Sequence, residues 1–171
     1  MDSWITDRTR LIILLAACAL LSSIELFVPL FRYRRGRLRR AFPNILLAAG
    51  VLITNLALAS IAAGLCAVVT QWHVGLLAGT PVRPWILLVI GVVGLDLSAY
   101  GAHVLLHKLP IAWRFHRVHH SEPEVDVTTA FRQHPGETLW RFVWQCVGIV
   151  VFGLPFWVVP LYLSLSSLNA L

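Results

Sequence analysis

Blocks of apolar residues about as long as a bilayer is thick set the terms for this chain. Residues 11–31, 44–70 and 85–107 each exceed the about 20 residues that a helix needs to cross a hydrocarbon core. A fourth apolar stretch, 139–171, contains Pro155 and Pro160, which are predicted to kink it or divide it into a hairpin. Of the 171 residues 58% are hydrophobic and 13% charged, against about 45–50% and about 25% in an ordinary soluble domain. Water is the wrong solvent for such a chain. The sequence therefore predicts an all-α integral membrane protein, a helical bundle of about four transmembrane helices or half-spans, with residues 1–171 forming a single membrane domain.

The formal net charge of +6 does not point to nucleic acid, because six of the fourteen basic residues fall in one short run, 32–40, between two apolar blocks. Lys and Arg in loops set membrane orientation, and a strip of this kind attracts anionic headgroups. The first connection carries six basic residues, the second only Arg83, and the third four: Lys108, Arg114, Arg117 and Arg132. That alternation places the N-terminus outside and puts the arginine run and residues 108–138 on the cytoplasmic side. A leader in which Asp2 and Asp7 stand beside Arg8 and Arg10, and the absence of a convincing cleavage site before Glu25, favour a retained first span.

Small residues at Gly50, Ala57 and Gly64 are candidates for close helix approach, and residues 71–84 have the Gly and Pro content of a turn. Cys18, Cys66 and Cys146 are isolated in apolar surroundings and read as small core residues.

Seven histidines are present, and six of them fall between positions 103 and 134. Asp96, Tyr100, His103 and His107 are spaced to share an arc of roughly 60° on one helical face. An aspartate at mid-span costs about 2.5–3.5 kcal/mol on insertion scales, so it is expected to face protein and find a partner. His116, His119 and His120 follow after a linker containing Pro110 and, if helical, lie within an arc of about 100°. Protonated imidazoles so crowded would repel one another, whereas neutral ones offer lone pairs to a transition metal. These five histidines are the candidate ligands of a cytoplasmic metal site. His134 is a weaker candidate, equally suited to a supporting or substrate-entry role, and His73, standing alone, reads as structural.

The segment from His103-Val-Leu-Leu-His107 to His116-Arg-Val-His119-His120, with Asp96 and Tyr100 upstream, closely resembles the first two histidine boxes of the fatty acid hydroxylase and sterol desaturase superfamily. Residues 113–121 and 128–137 resemble the segment that follows those boxes in the family, and the setting of Glu25, Pro29 and Asn44 is similar as well. The resemblance implies a membrane oxidoreductase of lipid metabolism that holds two irons with histidines. It takes electrons from a separate donor and uses dioxygen to hydroxylate or desaturate a fatty acid, sterol or related lipid. Asp96, Tyr100 and Glu137 would then support the imidazoles from behind.

Two departures from the family stand out. Val104 replaces the arginine usual after the first histidine, and no histidine follows His134, so the third histidine box is absent and the site is short of ligands for two irons. A truncated product is the favoured explanation, with ligands from another chain or loss of catalysis as alternatives. Two other classes fit the pattern: a haem-binding electron carrier of the membrane, and a catalytically inactive metal-binding membrane protein.

Overall fold

Apolar runs free of turn residues satisfy their backbone most simply as long helices, and the described residues contain helices and no strand. The computed structural model of the chain describes residues 3–28 and 37–170. Pro29 and the part of the arginine run at 32–36 lie outside the described residues. Helix α1 is Ser3–Phe27, α2 Arg37–Gln71, α3 Pro84–Lys108, α4 Pro110–His116, α5 Pro135–Phe152 and α6 Val158–Asn169. Between α4 and α5 lie two short 3₁₀ segments, His119–Ser121 and Val127–Phe131.

Two stretches, Ala41–Gln71 within α2 and Pro84–Lys108, are long and apolar enough to cross a membrane. The apolar part of α1, Ile12–Phe27, and helix α6 are shorter, so length and composition support two full crossings where four spans or half-spans were expected. Lateral faces of α2 and α3 expose Ile53, Leu56, Val93 and Leu97, as helices in contact with lipid do.

Long-range polar contacts fix which helix ends lie together. Glu25, near the end of α1, accepts from the Val127 amide at 3.0 Å, and Asn44, near the start of α2, donates to Thr128 Oγ1 at 2.8 Å. Trp140 of α5 donates its indole N–H to the Ala102 carbonyl of α3 at 3.0 Å. One end of the bundle thus gathers the end of α1, the starts of α2 and α5, and the end of α3.

At the other end the 72–83 turn closes over the C-terminus of α5. The Leu76 and Leu77 amides donate to the Val151 and Phe152 carbonyls at 2.9 and 3.2 Å, satisfying groups that the helix end leaves free. Gly75 and Gly153 both have positive φ, and a Cβ on Gly75 would lie 2.3 Å from Gly153 N.

Gly153, in the left-handed region, ends α5, so the last apolar stretch divides there and not at both prolines. Pro155 falls in the break, whereas Pro160 sits in the first turn of α6, where its missing N–H costs nothing. Of the expected small-residue contacts, Gly50 does meet a neighbouring helix, since a Cβ there would lie 3.2 Å from Pro135 of α5, and the other two do not. Ala57 is exposed and Gly64 meets nothing within 4 Å, while Gly91 and Gly94 of α3 admit Val158 and Phe152, and Gly148 of α5 packs on Ser98. A buried cluster of Cys66, Val69, Leu95, Ile149, Leu154, Val158, Val159 and Tyr162 joins these helices.

Candidate metal centre

His103 and His107 are one helical turn apart at the end of α3, which presents both to the same side. Leu109 is extended, with φ −95° and ψ 120°, and serves as the last cap of α3 and the first of α4. Pro110 then opens α4 from the position where proline fits a helix best. This sharp turn brings His116, the last residue of α4, back over His103 and His107. His119 and His120 follow on a 3₁₀ turn, so the arc that a continuous helix would have given them does not apply.

The rings converge. Centroids of the pairs 103–107, 103–116, 107–116 and 116–120 are each 4.8 Å apart, and 107–120 are 5.0 Å apart. Candidate ligand atoms of His103, His107 and His116 lie within 4.8 Å of one another. His116 Nε2 and His120 Nε2 are 3.1 Å apart. Two imidazole nitrogens each about 2.1 Å from one ion and at right angles would be about 3.0 Å apart, so this pair is spaced as neighbouring ligands are. His119 stacks on His116 at 5.8 Å with 17° between the planes, and its Nδ1 is buried without a partner among the described residues. An all-imidazole donor set with an orphaned buried nitrogen fits a transition metal.

Behind the rings stands a buried carboxylate. Glu137, fully buried in the first turn of α5, places Oε2 3.0 Å from His116 Nδ1, a contact outside hydrogen-bond geometry, and neither atom has a hydrogen-bond partner among the described residues. Arg141, one turn further along, approaches Glu137 Oε1 with Nε and Nη2 at 2.8 Å each, and the same Nη2 lies 3.2 Å from His103 Nδ1. Burial alone would raise the Glu137 pKa, but Arg141 and His116 outweigh it and hold the carboxyl below its ordinary range. Burial lowers the pKa of His116 despite the opposing pull of Glu137. His120 is lowered as well, first by burial and then by the neighbouring imidazoles. Neutral imidazoles with free lone pairs are the form a metal takes.

The remaining sequence candidates lie elsewhere. Asp96 and Tyr100 precede His103 on α3 and are both exposed, Tyr100 at 65%. The contacts that reach His103 and His116 from behind come from α5. His134 caps α5, accepting from the Gly136 amide at 2.9 Å, and its ring stacks on Phe115 at 5.1 Å.

Arg132 and Asp126 hold the segment that carries the histidine turn in place. Arg132 donates to the Val118 carbonyl at 2.9 Å, to Asn44 Oδ1 at 2.8 Å and to Ser121 Oγ at 3.0 Å. Asp126 caps the second 3₁₀ segment in a capping box with Thr129. Neither the role of Arg132 nor that of Arg141 was singled out from the sequence; a charged pair four apart at the edge of an apolar run, Glu137 just before it and Arg141 within it, was the signal available.

Residues 88–171 match the family model described as fatty acid hydroxylase. The chain is 30% identical to the ornithine lipid hydroxylase OlsE of Rhizobium tropici over 82 residues, 48% of this chain and 24% of that protein. It is 33% identical to the alkylglycerol monooxygenase of Xenopus tropicalis over 66 residues, 36% of this chain and 15% of that protein. The aligned part is thus a quarter or less of each relative's length. No solved structure matches the chain.

Proposed function

Since the chain belongs to the fatty acid hydroxylase superfamily through residues 88–171, we propose that its histidines hold iron in a membrane enzyme that hydroxylates or desaturates a lipid with dioxygen. The observation that carries this reading is His116 itself: its Nε2 faces His120 Nε2 at 3.1 Å while its Nδ1 faces the buried Glu137 carboxylate at 3.0 Å. Carboxylates behind imidazoles in this way fix the ring and raise its basicity as a ligand.

His103, His107, His116 and His120 would hold one ion, and His119, offset behind His116, would serve a second ion of a di-iron pair. His134 would support α5 as its cap. Iron bound there supplies dioxygen activation and oxygen insertion at an unactivated carbon–hydrogen bond, with electrons from a separate carrier. The chain's own residues hold the site together. Glu137 orients His116, Arg141 neutralises Glu137, and Arg132 ties the turn bearing His119 and His120 to α2. The centre lies where α3 leaves its apolar span, so a lipid standing beside that helix would bring its polar end or upper chain to the histidines. We place this end at the cytoplasmic face, since Arg39 and exposed Arg114 and Arg117 share it.

Packing favours this reading over haem. Rings with centroids 4.8–5.0 Å apart on neighbouring turns leave no slot for a flat macrocycle between two axial ligands.

The test is iron per chain in purified protein, with His107→Ala/His120→Ala compared with His73→Ala at the opposite end. Iron should fall to background in the double variant, persist in His73→Ala and show no Soret band. Unchanged iron in the double variant would overturn the ligand set. Iron without oxygen-dependent lipid conversion, given an electron donor and a lipid extract, would make the chain a non-catalytic metal-binding protein.

A further inference from the structure

The geometry points to Arg141 as a positioning residue that sets His103 and His116 in opposite tautomers. An ionised carboxylate only accepts hydrogen bonds and a guanidinium only donates them. His116 Nδ1 lies 3.0 Å from Glu137 Oε2, outside hydrogen-bond geometry yet in contact, and two lone pairs facing each other at that distance would repel, so that nitrogen carries the proton and Nε2 is bare. His103 turns Nδ1 to Arg141 Nη2 at 3.2 Å, so that nitrogen is bare and Nε2 carries the proton. One guanidinium produces both outcomes. It acts on His103 directly, and on His116 by occupying Glu137 Oε1 with Nε and Nη2 at 2.8 Å, which leaves Oε2 for the ring.

The consequence deepens the proposed metal site and rests on that reading. His116 offers its lone pair toward His120 at once, whereas His103 spends its lone pair on Arg141. In the metal-free protein the bare His116 Nε2 accepts from His120 Nε2 at 3.1 Å, so His120 would have to release that proton or move it to Nδ1 before both nitrogens could hold an ion. His103 would become a ligand through Nε2 only if its proton moved to Nδ1, which requires Nη2 to leave that nitrogen while Nε keeps Glu137. Arg141 has room for that movement: its side chain is 31% exposed, against 0% for Glu137 and 1% for His116.

Tautomers are read from long-range nitrogen–proton correlations on histidine-labelled, metal-free protein in nanodiscs. The pH is held about two units above the ordinary imidazole pKa of about 6.5, so that the rings are neutral. Single-histidine substitutions assign the signals. The wild type should show His116 protonated on Nδ1 and His103 on Nε2. Arg141→Met should abolish both preferences. Arg141→Lys keeps a cation beside Glu137 but loses the fork, so His116 should hold its tautomer while His103 loses its own. Like tautomers at the two rings in the wild type, or no change at either ring in Arg141→Lys, would overturn the assignment. Should Arg141→Met fail to fold, the lysine variant decides alone. No metal is present in these spectra, so a negative result here leaves the iron reading to its own test.

Discussion

Replacing Glu137 by Gln keeps the shape of a fully buried side chain and removes its charge, so the effect reports on electrostatics and not on packing. The carboxylate accepts from Arg141 at Oε1 and faces His116 Nδ1 with Oε2. A glutamine has one acceptor oxygen and one donor nitrogen, so it serves one of these neighbours and confronts the other with a second donor. Breaking a fully buried ion pair costs about 3–5 kcal/mol. Arg141 is 31% exposed and partly screened, which lowers the figure toward the about 1.5–3 kcal/mol of a charge-assisted hydrogen bond. We expect a loss of about 2 kcal/mol in stability. Metal affinity should fall about 10- to 100-fold, the usual consequence of losing a carboxylate behind an imidazole ligand. Titration of the metal-free protein with cobalt(II), followed by its visible bands, measures the affinity, and thermal melting in detergent measures the stability. A Glu137→Gln protein that binds cobalt as tightly as the wild type would refute the role given to this carboxylate.

Other outcomes follow from the same structure. Arg132→Leu removes three hydrogen bonds and leaves the buried Asn44 short of one, so stability should fall by about 2–3 kcal/mol and limited proteolysis should cut faster within residues 117–134. Gly75→Ala forces a Cβ against Gly153 at φ 111°, and should destabilise by more than about 2 kcal/mol in thermal melting. Gly64→Ala, which meets nothing within 4 Å, should be neutral or slightly stabilising. His116 and His120 resist protonation in the folded protein, so the unfolded chain binds more protons below the ordinary imidazole pKa of about 6.5. Their contribution is complete above that pH and is lost as pH falls through and below it. The melting temperature of metal-free protein should therefore drop between pH 7 and pH 5, less steeply in His116→Gln/His120→Gln.

Much of the site was legible because helical spacing is a local property. His103 with His107, and His116 with His120, were readable as pairs four apart, and the linker with Pro110 was readable as a break. Periodicity names a face but not what covers it. Asp96 and Tyr100 share the face of His103, yet α5 supplies the groups behind the rings, and nothing in the local spacing says so. Arg141 was hidden because it lies within an apolar stretch. The partners of Glu25, Asn44 and Arg132 are distant in sequence, and such pairings appear only once the bundle is assembled. His134 before Pro135 has the placing of a helix cap, a bland role that the surrounding histidines made easy to overlook. The division of the last apolar stretch turned on Gly153, since a proline in a first helical turn, such as Pro160, interrupts nothing.

That His103, His107, His116 and His120 share one ion is tested most directly by X-ray absorption at the metal edge of iron-loaded protein. The expected result is a first shell of nitrogen near 2.1 Å, about as for other imidazole-bound transition metals, with the outer scattering of several imidazole rings, and one ring fewer in His120→Ala. A first shell without imidazole scattering, or one unchanged by that substitution, would contradict it.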